Sequence, residues 1–436
     1  MCFRCVASTN FGSQRPPPTL RFVHAIWRHG DRSPVQGYPT DVQNPESSWP
    51  QGFGELTTKG IQEQFELGEW LRDRYANFLS PQYKQNEIYV QCTQFNRTMM
   101  SALSVLAGLY PPTGAQLWNP AIKWQPIPVH TVPIPECPEG REMADDMHAQ
   151  AIEIDETFEN LTQFISQKSG VPMKSSSEVG RIYDTLFCEK QHEDDHPIMD
   201  WVNQTIWHKI ENLTSLWYDV GARLNEAMKL SGRLLLDEII DRMQHRADTP
   251  NWPLKFMAYS GHDTDIINTL SILGAQRPVL IPPTSTTILL ELHENPLNGW
   301  TVQLYLKNST TATLYDLSIH GCPHPCQLST LRDRFGPLLL KMPDFNFACG
   351  VRSIAHQIQR IILLLGMGIV LLLIIVIYVG LLLVWDRTPA PDCVSRKTAT
   401  QRTGRFNENI GEFEMTVIDS DPGSTSDDEK DNQDDE

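Results

Sequence analysis

The chain has 436 residues, 40% of them hydrophobic and 20% charged, which suits one large globular domain with an insertion, or two domains. Its formal charge of −17 excludes nucleic-acid binding by bulk electrostatics. About half of that excess lies after residue 385, so the remainder is only mildly acidic.

Residues 1–18 are polar and proline-rich and read as disordered. They contain no apolar run of the kind a signal peptide needs, and the expectation is an incomplete or variant start. From Leu20 an apolar, strand-like run leads to Trp27 and breaks into Arg28-His29-Gly30-Asp31-Arg32-Ser33-Pro34. Open α/β sheets place their chemistry at such carboxyl ends of strands. Arg28 and Arg32 each carry a fork of donors for phosphate or carboxylate oxygens, and His29 between them is a nucleophile usable near neutral or acid pH. Alone, Arg-His-Gly reads equally well as a solvated turn. His24, inside the strand, reads as structural.

Leu56-Thr57-Thr58-Lys59-Gly60 opens a helix with Ile61, Phe65, Leu67, Leu71 and Tyr75 on its apolar positions, Thr57 or Thr58 being the N-cap. A strand near Ile88 to Cys92 precedes Arg97, and Thr98 to Leu109 reads as helix. From about 133 to 250 the pattern is helical and strand-poor, which suits an inserted α-helical cap. Within it His192-Glu193-Asp194-Asp195-His196 reads as a solvated loop rather than a metal site. A strand from Leu254 to Tyr259 then ends in Ser260-Gly261-His262-Asp263-Thr264, followed by a helix from Asp265 to Leu273. Strands at Thr287 to Leu292 and Thr301 to Leu306 flank a hairpin turn over residues 294–299. The fold class is α/β: a mainly parallel sheet flanked by helices, with the cap inserted, over residues 19–352.

Residues 361–385 form an uncharged run long enough to cross a bilayer. Arg387, Arg396, Lys397, Arg402 and Arg405 follow it, the basic flank expected on the cytoplasmic side. The tail, 386–436, is acidic and reads as disordered, with serines beside carboxylates that suit an acidophilic kinase. The N-terminal part is therefore expected to be lumenal or extracellular. Sequons at Asn160, Asn203, Asn212 and Asn308 and six cysteines between 19 and 352 agree with an oxidising compartment. A fifth sequon, Asn96, abuts Arg97 and is expected to stay unglycosylated.

Three arginines, two histidines and a carboxylate at strand ends form a phosphoryl-transfer constellation. Here the sequence resembles the histidine acid phosphatases, the branch of the histidine phosphatase superfamily that opens with Arg-His-Gly-x-Arg-x-Pro, and within it the membrane-anchored lysosomal and the prostatic members. The resemblance runs from about residue 20 to 350 and includes Trp118-Asn119-Pro120 and Trp124-Gln125-Pro126-Ile127-Pro128-Val129-His130-Thr131. It implies hydrolysis of small phosphomonoesters at acid pH through a phosphohistidine on His29. Arg28, Arg32, Arg97 and His262 would bind the phosphoryl oxygens, and Asp263 would protonate the leaving alcohol. No cofactor or metal is expected, because the cationic cage supplies the charge. A protonated Asp263 beside a charged His262 would account for the acid optimum. Asp263 also stands where a helix cap would. Where family members read His-Asp-Thr-Thr, this chain has His262-Asp263-Thr264-Asp265.

His320-Gly321-Cys322-Pro323-His324-Pro325-Cys326 has zinc-like spacing, but a Cys322–Cys326 disulfide is the better reading and matches the family. The resemblance also implies Cys137–Cys349 and leaves Cys92 to pair with Cys188, although the family's usual partner for Cys188 falls near Thr286. It further suggests a homodimer. The tail holds no tyrosine, so the tyrosine-based endocytic signal of the lysosomal member is missing, and lysosome, endosome and cell surface stay open. Runner-up readings are a phosphatase selective for lysophosphatidate or inositol phosphates, and a non-catalytic binding module on this scaffold.

Overall fold

The computed structural model describes residues 15–132, 137, 145–275, 281–309, 314–349 and 354–385. Of the start expected to be disordered, residues 15–18 are described, and there the Arg15 guanidinium pairs with Asp73 at 2.9 Å. Its remaining residues, and the tail from 386, lie outside the described residues.

Eight strands form one sheet: β1 (Leu20–Arg28), β2 (Ile88–Thr93), β3 (His130–Val132), β4 (Phe256–Gly261), β5 (Thr287–Asn295), β6 (Gly299–Lys307), β7 (Leu314–Leu317) and β8 (Cys326–Gln327). Their order is β3-β2-β4-β1-β5-β6-β7, with β8 beside β6. The sheet is mixed. From β3 to β1 the neighbours run parallel, and from β1 onward they run antiparallel. The parallel half carries the site. The antiparallel half grows from the β5–β6 hairpin, where Gly299 takes a left-handed φ of +68° that the turn requires.

β1 is apolar on both faces because both are covered. Phe22 and Ile26 pack with α7 (Glu226–Asp248) and α8 (Asp263–Ile272). Val23, Ala25 and Trp27 pack with α1 (Thr58–Arg74) and α2 (Asn96–Leu109). Full burial of each such side chain contributes roughly 1.5–3 kcal/mol, so the central strand is firmly anchored on both faces. Thr57 is the cap of α1, its side chain accepting from Gly60 N–H.

Between β3 and β4 come α3 (Asp145–Thr157), α4 (Glu159–Ser169), α5 (Val179–Gln191), α6 (Gln204–Leu224) and α7. The first four enclose a core of their own, with Ile154, Ile165, Ile182, Leu186, Ile210 and Leu213. Helix α7 instead lends Leu236, Ile239, Ile240 and Met243 to the sheet. The helical stretch 133–250 therefore contains two packing units. Helices α9 (Leu328–Phe335) and α10 (Met342–Ala348) follow the sheet.

Cys137–Cys349 and Cys322–Cys326 are disulfides. The expected Cys92–Cys188 bridge is not formed: both are buried thiols. Cys92 lies on β2 in the core under α1 and α2, whereas the Cys188 sulfur on α5 accepts an N–H from Arg32 at 3.6 Å. Thr286, near the family's usual partner position, spends its hydroxyl on the Asn308 carbonyl instead.

The last helix, α11 (Ile354–Trp385), contains an apolar stretch, Ile361–Leu383, whose described side chains are exposed all round. Its 23 residues span about 35 Å as helix, enough for the hydrocarbon core of a bilayer.

Candidate active site

β1 and β4 are parallel neighbours with Arg28 level with Gly261, so the loops leaving them run side by side. One carries Arg28, His29 and Arg32, and the other His262 and Asp263. β2 flanks β4, and α2 follows it. This helix begins at Asn96 rather than Thr98, so Arg97 sits in its first turn. Among the described residues no side chain caps that terminus, the positive end of the helix dipole.

His29 is 2% exposed. Its backbone N–H donates to the Gly261 carbonyl at 2.9 Å, and its ring Nδ1 lies 2.8 Å from the Gly30 carbonyl. A carbonyl only accepts, so Nδ1 carries the proton and Nε2 carries the lone pair. Burial, then the charges of Arg28 and Arg32, holds the ring well below the ordinary histidine pKa. The ring therefore favours its neutral form, with Nε2 carrying the lone pair. The loop fits because a Cβ on Gly30 would stand 2.4 Å from the Gly60 carbonyl oxygen. Glycine at both positions lets the loop lie directly on the start of α1.

The three arginines share one property. The Nε atoms of Arg28, Arg32 and Arg97 are each buried without a hydrogen-bond partner among the described residues. Such groups are costly unless something satisfies them. Arg28 donates from Nη1 to the Pro282 carbonyl and pairs through Nη2 with Asp263 at 3.1 Å. Arg97 rests over the Phe95 ring at 4.5 Å, and burial and then Arg32 lower its pKa to about 10. His262 Nε2 lies 2.9 Å from Thr93 Oγ1, and its backbone N–H donates to Asp265 Oδ2 at 2.8 Å.

Asp263 opens α8, accepts from Thr264 N–H at 2.8 Å and receives the Tyr218 hydroxyl at 3.3 Å. Burial pushes its pKa up, but Arg28 and Arg32 outweigh burial and hold it below the usual carboxylate range. Burial and Arg97 lower His262 to about 4. Both shifts run against the protonated Asp263 and charged His262 expected in acid from sequence. Clustered guanidiniums favour the anion and disfavour another cation. Asp265 supplies the helix cap, with its pKa raised to about 6 by burial and, more weakly, by Asp263.

The family model of the histidine phosphatase superfamily (branch 2) matches residues 19–307. This chain belongs to that superfamily. The lysosomal acid phosphatase of Xenopus laevis is 37% identical over 380 residues, covering 82% of this chain and 85% of the relative. The human lysosomal enzyme is 35% identical, covering 84% of this chain and 89% of the relative. Mouse prostatic acid phosphatase is 35% identical, covering 78% and 91%. Among solved structures, the apo form of Hafnia alvei phytase superposes with a TM-score of 0.56 at 18% identity, covering 76% of this chain and 99% of that one. The Citrobacter braakii phytase gives 0.54 at 16%, covering 75% and 99%. These two share the fold.

This histidine phosphatase brings further residues to the site that motif reading did not find, all from the helical insertion. Asp184 on α5 grips Arg32, Tyr218 on α6 reaches Asp263, and His192 Nε2 stands 2.6 Å from Asp31 Oδ2. The loop after α5 is therefore only partly solvated. Glu193, Asp194 and Asp195 are exposed, but His192 holds the catalytic loop and His196 is buried, stacked on Trp49 at 3.7 Å. The one signal in the sequence was the four-residue spacing of Asp184, Cys188 and His192, which marks one helical face. In the zinc-like segment both sulfurs are spent in the Cys322–Cys326 disulfide.

Proposed function

We propose that this chain is an acid phosphatase that hydrolyses phosphomonoesters through a covalent phosphohistidine on His29. The observation that carries the reading is the set of unpartnered, buried Nε groups on Arg28, Arg32 and Arg97 around a histidine whose Nε2 is free. A phosphoryl group satisfies all of them. His29 Nε2 attacks phosphorus, the ester P–O bond breaks, and Asp263 gives its proton to the leaving oxygen. Water then attacks phosphorus, Asp263 takes back a proton, the N–P bond breaks and phosphate leaves with His29 neutral. The arginines and His262 hold the equatorial oxygens through both steps.

Asp263 must be protonated for the first step, yet Arg28 holds it ionised. Substrate phosphate gives Arg28 another anion and loosens that hold, and acid supplies the proton. Both favour the protonated acid, and the need for a proton on Asp263 predicts an acidic optimum.

The proposed organisation is a catalytic domain over 19–352 with its cap, held lumenal or extracellular by the 361–385 span, in lysosome, endosome or cell surface. Asn160, Asn203 and Asn212 are exposed and Asn308 is half-buried, and these carry the glycans. Asn96 donates to Glu55 at 2.9 Å and stays bare. The exposed edge strand β3, with Trp118 and Trp124 exposed nearby in sequence, is the proposed contact between two copies.

The deciding experiment is hydrolysis of p-nitrophenyl phosphate by the full-length protein in detergent, between pH 4 and 8, with and without chelator. Activity peaking below about pH 6, resistant to chelator and abolished by His29→Ala, is the expected result. A folded wild-type protein that releases phosphate from no monoester would leave the binding-module reading.

A further inference from the structure

Helix α5 turns one face to the catalytic loop, with Asp184, Cys188 and His192 at four-residue intervals. Asp184 Oδ1 lies 2.5 Å from Arg32 Nη2, and Oδ2 lies 3.1 Å from Nη1. The pair is a bidentate fork, and Oδ2 also accepts the backbone N–H of Val35 at 3.2 Å. Arg32 Nη1 further meets the Ser33 carbonyl at 3.0 Å and the Cys188 sulfur at 3.6 Å.

A guanidinium has five N–H groups. Asp184 takes one from each Nη, and Ser33 and Cys188 share the second on Nη1. What remains is Nε–H and one N–H on Nη2, which point the same way along one edge. The Nε of that edge is buried and unpartnered. We propose that Asp184 is a positioning residue for phosphoryl transfer, reaching from the cap to lock one edge of Arg32 so that the other edge faces the phosphoryl group. Asp184 never touches the substrate phosphate in this arrangement. It acts through Arg32. The cap thus shapes the phosphate site itself as well as its mouth. This inference rests on the assignment of Arg32 to phosphate given above.

The test uses the full-length protein in detergent, with kcat, KM and the inhibition constants of inorganic phosphate and orthovanadate as readouts. Asp184→Ala is expected to lower kcat/KM and weaken vanadate by about 10- to 100-fold, as loss of one oriented charged contact does. Asp184→Asn, which keeps one acceptor and guards against a folding failure, falls between. His192→Ala breaks another contact, made from the C-cap of the same helix, without touching Arg32 and is expected to cost only a few-fold. In an Arg32→Ala background, Asp184→Ala is expected to add nothing. The proposal is overturned if His192→Ala matches Asp184→Ala, if the double mutant is additive, or if Asp184→Ala binds phosphate more tightly. Unchanged vanadate affinity in Arg32→Ala alone would instead remove the assignment beneath it.

Discussion

Asp263 Oδ2 stands 3.1 Å from Arg28 Nη2, with the two side chains only 15% and 6% exposed. The contact joins the proposed general acid to a proposed phosphate ligand. At such low exposure the pair is strongly coupled, so whatever satisfies Arg28 changes the proton affinity of Asp263.

The first prediction follows from that coupling. In the free protein the arginines depress the Asp263 pKa. Bound phosphate relieves the depression. The basic limb of kcat, which reports the complex, should therefore lie at higher pH than the basic limb of kcat/KM, which reports the free enzyme. Asp263→Asn should erase both limbs and cost about 10²- to 10⁴-fold with alkyl phosphates, far less with p-nitrophenyl phosphate, whose leaving group needs no proton. Equal losses with both substrates would remove Asp263 from the acid role.

Arg97 offers a cleaner loss of binding. Its guanidinium is held over Phe95 with Nε unpartnered, so truncation breaks little inside the protein. Arg97→Ala should weaken inorganic phosphate inhibition by about 10- to 100-fold, the worth of one charged hydrogen bond. The melting temperature should move little. A large fall in melting temperature with unchanged phosphate affinity would make Arg97 structural.

Glu189 on α5 is fully buried against Asp41 and Asn44, with no positive partner at its carboxyl among the described residues. Burial, then Asp41, pushes its pKa to about 9 from an ordinary 4.5. A raised pKa means that the folded chain keeps a proton the unfolded chain releases. The stability contribution is full below about 4.5 and is lost as pH rises toward about 9. Glu189→Gln should accordingly raise the melting temperature at pH 7.5 and give no gain at pH 4. Equal shifts at both values would show that Glu189 does not carry the proton.

The cysteines give a chemical prediction. Peptide mapping without reduction should recover Cys137–Cys349 and Cys322–Cys326 as linked pairs, with Cys92 and Cys188 alkylated only after unfolding. Cys137→Ser opens a loop with a sequence separation of 212 and should destabilise by about 2–5 kcal/mol. Recovery of a Cys92–Cys188 peptide would contradict the arrangement of α5 against Arg32.

Part of this site was legible without coordinates because its chemistry is contiguous. Arg28, His29 and Arg32 leave one strand and His262 and Asp263 leave another, and a polar cluster after an apolar run announces itself. Arg97 was found on the same logic, two residues off in its helix boundary, where capping is weak. Strand β3 escaped because three exposed residues carry no hydrophobic period. Asp184 and Tyr218 escaped for a different reason. Each sits in an ordinary amphipathic helix, and only packing of α5 and α6 brings it to the site.

The sequence by itself determined the chemistry available: the proposed nucleophile, the cations, the proposed acid, the helical insertion and the apolar span. These depend on local order along the chain. Tertiary structure alone decided that Asp184 pairs with Arg32, which cysteines meet, and that the arginines push the Asp263 pKa down while burial and Arg97 push that of His262 down. Those outcomes depend on distances between residues far apart in the chain and on removal of water around them. Arg32 and Asp184 are 152 positions apart, and no local pattern encodes a separation of 2.5 Å between them.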